Sequence, residues 1–97
     1  MIEYIEGKET LTCSFSVPLN TLNCSKLENG LCDKVFEAKV PVVFDLKGVD
    51  YIASSFLRIC VKVSKKIGSE NFSVINVSPV VKKVFKMSGF DKYIKVE

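Results

Sequence analysis

Histidine is absent from this 97-residue chain. Its absence removes the usual general base of serine hydrolysis and a common zinc ligand. The four cysteines, Cys13, Cys24, Cys32 and Cys60, do not make up for it, because no two stand at C-x-x-C spacing. They read as small buried hydrophobes in a reducing compartment, with no metal or other cofactor expected. Glycine motifs are missing too. There is no G-x-G-x-x-G, and Gly7-Lys8-Glu9-Thr10 lacks the upstream glycine of a phosphate loop, with no Ser or Thr directly after its lysine. The serine pair in Ile52-Ala53-Ser54-Ser55-Phe56 does not form a G-x-S-x-G elbow. Carboxylates are scattered, so no acid–base pair suggests itself. Catalysis is not expected.

Long apolar runs are also lacking. The acidic start, Met1-Ile2-Glu3-Tyr4-Ile5-Glu6, has neither the basic flank nor the apolar stretch of a secretory signal. No stretch approaches the ~20 apolar residues of a membrane span. The expectation is a cytoplasmic protein without membrane insertion.

What is present is an ordinary globular composition, 47% hydrophobic and 26% charged, with three Pro and five Gly. A chain of this size buries roughly 60–70% of its unfolded surface, enough for one domain over residues 1–97 without staples. Charge is unevenly spread. Residues 1–48 carry five Lys against seven acids, and residues 49–97 carry nine Lys or Arg against four. The basic residues Lys62, Lys65, Lys66, Lys82, Lys83 and Lys86 are not interleaved with aromatics, and no nucleic-acid-binding signature accompanies them. A nucleic-acid surface, an acidic protein partner and solvated helix faces all fit this asymmetry, and solvated helix faces explain it best.

The apolar pattern switches between period 2 and period 3.6, as in an α/β domain. Leu11, Cys13 and Phe15 alternate with polar residues as in a strand. Cys24, Leu27, Leu31 and Val35 form the stripe of a first helix, interrupted by Gly30. Pro41-Val42-Val43-Phe44-Asp45-Leu46 reads as a strand buried on both faces. Phe56, Ile59, Cys60, Val63 and Ile67 line a second helix that Gly68 ends, and Phe72-Ser73-Val74-Ile75-Asn76-Val77 reads as the next strand. Ser78-Pro79 opens a third helix that buries Val80, Val81, Val84 and Phe85 and stops at Gly89. Tyr93-Ile94-Lys95-Val96 offers a short last strand. The predicted order is ββαβαβα, with helix-linked strands parallel and joined by right-handed crossovers.

Ser54 and Ser55 fall where the second helix begins. Serine is a favoured helix cap and needs no other purpose there. The loop also follows a parallel strand's carboxyl end, where α/β folds gather functional groups. A helix start tolerates a phosphate, which would add about −1.5 to −2 charges. Cap and switch both stand on these residues.

Several segments together resemble the STAS domain, the family of bacterial anti-sigma factor antagonists. They are Val42-Val43-Phe44-Asp45-Leu46, then Val49-Asp50-Tyr51-Ile52-Ala53-Ser54-Ser55-Phe56-Leu57-Arg58, then Asn76-Val77-Ser78-Pro79-Val80-Val81-Lys82-Lys83-Val84-Phe85 and Ser88-Gly89-Phe90-Asp91. Val17-Pro18-Leu19-Asn20-Thr21-Leu22-Asn23 is similar to the family's first strand-to-helix turn, with Asn20 where aspartate is usual. The resemblance implies a small mixed β-sheet flanked by helices, and partner switching in transcription regulation. The unphosphorylated antagonist binds an anti-sigma factor of the serine-kinase type and frees a sigma factor. The kinase then phosphorylates the antagonist, and a PP2C-like phosphatase resets it. Carried over by alignment, Ser54 is the phosphoacceptor, and Asn20, Asp50, Ser54, Ser55, Phe56 and Arg58 form the partner-binding set.

The chain departs from the family's D-S-[S/T]-G loop at Ala53, where aspartate is usual, and at Phe56, where glycine is usual. Phe56 reads either as an apolar anchor for a different partner or as a core residue. Two other functions compete with the switch. One is a phosphorylation-independent adaptor in a signalling or transporter-linked complex. The other is a sensor of a nucleotide or lipid held in the loops beside Ser54.

Overall fold

The alternation of Leu11, Cys13 and Phe15 has the consequence expected of period 2, since these three side chains are buried and Thr12 and Ser14 are not. The computed structural model describes residues 2–97. Strand β1 (Ile2–Glu6) pairs antiparallel with β2 (Leu11–Phe15), and Gly7 N donates to Thr10 O at 2.8 Å to close the hairpin. Then come α1 (Thr21–Ala38), β3 (Val42–Asp45), α2 (Ser54–Ile67), β4 (Phe72–Ile75), α3 (Pro79–Met87) and β5 (Lys95–Val96). Short 3-10 turns occupy Ser69–Asn71 and Phe90–Lys92. The sheet order is β1-β2-β3-β4-β5, with β2 to β5 parallel, so the mixed sheet and the short last strand are as expected.

Strands that follow one another in space as in sequence, joined by right-handed crossovers, put successive helices on the same face of a sheet. Helices α1 and α2 accordingly pack together. The covered row runs Leu11, Val42, Phe72 and then Cys13, Phe44, Val74, all buried. The opposite row, Thr12, Val43 and Ser73, is only half-buried. This corrects the reading of residues 41–46 as a strand buried on both faces. Its apolar run reflects β propensity at Val43 rather than a second layer of helices.

Helix α1 buries Cys24, Leu27, Leu31, Cys32 and Val35, the expected stripe plus one cysteine. All four cysteines are free and buried. Ser78 caps α3 by accepting from Val81 N at 3.3 Å, Pro79 is its first residue, and Gly89 beyond it takes a left-handed φ of 78°. Val81 and Phe85 are fully buried, but Val80 is 65% exposed and Val84 half-buried, against expectation. Val80, Val81, Val84 and Phe85 span a wider arc than a helix with one covered side can hide.

Gly30 lies on the exposed side of α1, and a Cβ added there meets nothing within 4 Å. Gly30→Ala is therefore expected to raise stability by about 0.5–1 kcal/mol, read as a higher urea midpoint.

Candidate functional site

Two helix starts are tied together at the carboxyl ends of β2 and β3. Leu19, just before α1, forms a parallel bridge with Ile52, and Ala53 N donates to Leu19 O at 2.8 Å. Leu19, Ile52 and Ala53 are buried, so the tie is shielded from water. Asn20 is the cap of α1, its Oδ1 accepting from Asn23 N at 2.8 Å, while Asn23 Nδ2 donates to Pro18 O at 2.8 Å. Asparagine therefore does at position 20 the capping that an aspartate would do.

Helix α2 starts differently. Its cap position is Ala53, which has no side chain to accept from the first N–H groups. Ser54 and Ser55 are the first two helical residues, and neither is the cap, which corrects the capping reading. Ser54 is exposed. Ser55 is 7% exposed, and its Oγ is buried without a hydrogen bond of good geometry. It lies against the Cys24 thiol of α1, whose pKa is raised by burial and lowered in smaller measure by that hydroxyl.

Of the two roles left open for Phe56, the structure selects the core. The ring is 0% exposed and meets Phe15 edge-on at 5.4 Å between centroids and Phe44 at 6.0 Å. Phe44 in turn stands edge-on to Phe72 at 4.7 Å and to Phe15 at 5.3 Å. Phe56 and Ser55 thus leave the partner-contact set, because an apolar ring and a small side chain on the inward arc of α2 are taken up by the sheet and by α1. Asn20, Asp50, Ser54 and Arg58 remain exposed. Arg58 is four residues from Ser54 and shares its face of the helix.

Asp45 holds the neighbouring loops, its Oδ1 accepting from Lys47 N at 3.0 Å and from Asn76 Nδ2 at 2.9 Å. Beside them a cleft of about 490 Å³ opens, with Val17, Pro18, Lys47, Asp50 and Tyr51 among its walls. Tyr51 and Leu22, 58% and 63% exposed, are apolar surface at this end that the sequence reading did not single out. A signal existed for Leu22, which stands two residues before Cys24 and off the buried stripe. Among the described residues, no group of three or more Cys, Asp or Glu side chains is placed to hold a metal. No helix there is long and apolar enough to cross a membrane.

Phe56→Ala is expected to cost about 3–5 kcal/mol in a denaturant titration, as for other buried phenylalanines. Burial also pushes the Cys13 thiol up to about 12 and the Cys60 thiol well above its usual range. An acid with a raised folded pKa stabilises fully below its unfolded pKa and loses that contribution as pH climbs to the folded value. Stability is thus expected to fall from about pH 8.5 upward, where unfolded thiols ionise. Denaturant midpoints across that range check this, with a shallower slope expected for Cys13→Ala.

The sequence pattern of the STAS domain matches residues 2–97. BtrV of Bordetella bronchiseptica, described as a candidate anti-sigma factor antagonist, is 34% identical over 74 residues. That match covers 74% of this chain and 64% of BtrV, so the chain spans under two thirds of this curated relative. The crystal structure of an anti-sigma factor antagonist from Mycobacterium paratuberculosis superposes with a TM-score of 0.85 at 22% identity, over 99% of this chain and 83% of that one. The Bacillus cell fate determinant SpoIIAA in its phosphorylated form superposes at 0.70 and 16% identity, over 100% and 91%. These two likenesses show the shared fold. With a family pattern that spans the sheet, the helices and the paired helix starts, the chain belongs to the STAS domain family.

Proposed function

We propose that this protein is an anti-sigma factor antagonist that binds an anti-sigma factor of the serine-kinase type through its paired helix starts and so frees a sigma factor. A phosphate on Ser54 ends that binding, and a PP2C-like phosphatase restores it. The chain itself performs no chemistry in this cycle. One observation carries the reading. Ala53 and Ser55 are 4% and 7% exposed, while Ser54 between them is exposed, so a kinase reaching this loop meets a single hydroxyl. The descriptions of BtrV and of the mycobacterial protein point the same way.

The two departures from the family loop are compatible with this role. Phe56 points inward and leaves the approach to Ser54 clear. Ala53 removes a carboxylate that would repel a phosphate, and leaves the first N–H groups of α2 uncapped. A phosphate on Ser54 would meet those donors and the positive end of the helix dipole. The modification thus adds about −1.5 to −2 charges to the contact surface without breaking the fold.

Incubation with such an anti-sigma kinase and ATP is expected to place one phosphate on Ser54, seen by mass spectrometry, and none on Ser54→Ala. Ser54→Asp is expected to weaken the complex at least about tenfold, ~1.4 kcal/mol, with unchanged circular dichroism. Full binding by Ser54→Asp, or a kinase that leaves Ser54 unmodified, would speak for the phosphorylation-independent adaptor instead.

A further inference from the structure

Helix α3 carries a second apolar lane that the core uses only in part, through Val84. Val81 and Phe85 fill the interior, while Val80 is 65% and Met87 79% exposed, with Val84 half-buried between them. Positions 80, 84 and 87 follow the i, i+4, i+7 spacing of one helix stripe. A basic lane runs beside it, formed by the exposed Lys82, Lys83 and Lys86. Helix α3 contains no acidic residue, and among the described residues none of these three lysines has an ion-pair partner. Elsewhere pairing does occur, for Lys34 with Glu6, Lys62 with Glu28 and Lys95 with Glu97. The three lysines also wall a groove of about 460 Å³ that Asp91 and Val96 complete.

Both lanes cost the isolated protein something. Exposed Val and Met side chains order water, and three like charges within two turns repel one another. A surface that is acidic and also brings apolar side chains removes both costs at once. We infer that the outer face of α3 is a docking surface for an acidic, leucine-bearing face of a partner protein, with Met87 and Val80 as its apolar anchors. Methionine suits such a place, being unbranched and adaptable in shape. A nucleic acid would want aromatic side chains among the lysines, and α3 exposes none. An anionic membrane would want a broad apolar face, and the broader face of α3 is already spent on the core. The inference does not depend on the role of Ser54.

The test is fluorescence anisotropy with a labelled helical peptide of about twelve residues carrying Leu and paired Glu at helical spacing. A Gln-for-Glu peptide and vesicles of phosphatidylcholine with phosphatidylglycerol serve as the other arms. The acidic peptide is expected to bind and the Gln peptide to bind far less. Reversing Lys82→Glu, Lys83→Glu and Lys86→Glu together should weaken binding at least about tenfold, and Met87→Ser about threefold. The triple variant Lys8→Glu, Lys26→Glu and Lys39→Glu has the same net charge and exposed positions away from α3, and should change binding less than about twofold. Equal losses in the two triple variants would overturn the inference, leaving only attraction to net charge. So would the absence of peptide binding, or lysine-dependent binding to vesicles without binding to the peptide.

Discussion

The rotation of α2 about its own axis decides what this protein shows its surroundings, and Phe56 sets that rotation. Its ring is buried against Phe15 and Phe44, side chains that belong to β2 and β3. Each helical residue advances the side-chain direction by about 100°. With position 56 pinned inward, positions 54 and 58 must turn outward, and position 55 must face the flank where α1 packs. Ser54 and Arg58 are exposed and Ser55 touches Cys24 accordingly. The residue that breaks the family's glycine position is thus also the one that presents the serine.

The second constraint is the hydrogen bond from Ala53 N to Leu19 O. It joins the approach to α1 and the approach to α2 into one short parallel ribbon that continues the sheet beyond β2 and β3. Parallel strands end on the same side, so the ribbon gathers Asn20 and Ser54 at one end of the molecule. Asp45 adds the turn after β3 and Asn76 after β4 to that end. The buried Ser55 hydroxyl, without a hydrogen bond of good geometry, rests against the Cys24 thiol. It sits where the two helices meet, beside a thiol that burial keeps neutral.

Charge divides the surface along the order of the chain. The acidic first half forms β1, β2, α1 and β3, and the basic second half forms α2, β4 and α3. Because sheet order follows sequence order, this linear asymmetry becomes a spatial one, from the β1 edge to the β5 edge. Lys62 of α2 is partly neutralised across the boundary by Glu28 of α1. Among the described residues the lysines of α3, towards the far edge, make no such pair.

Ser54–Ser55 shows how far each level of description reaches. Local rules located every element after β1. Period-2 alternation located β2, the stripe of Cys24, Leu27, Leu31 and Val35 located α1, and Ser78-Pro79 marked the start of α3. These signals are short-range, carried by neighbouring residues on one element. The family motif likewise pointed to Ser54 from sequence. Nothing local could say whether Phe56 faces in or out, because a phenylalanine in a first helical turn suits either direction. Nor could local rules tell that Ala53, not a serine, is the cap, or that Val80 is left outside. Those outcomes depend on which face of a helix meets the sheet and on how many faces of the sheet are covered. By itself the sequence determined the elements from β2 onward, their order and the serine-bearing loop. The tertiary structure alone decided that one serine is offered and the other withdrawn, because burial is settled by packing partners distant in the chain.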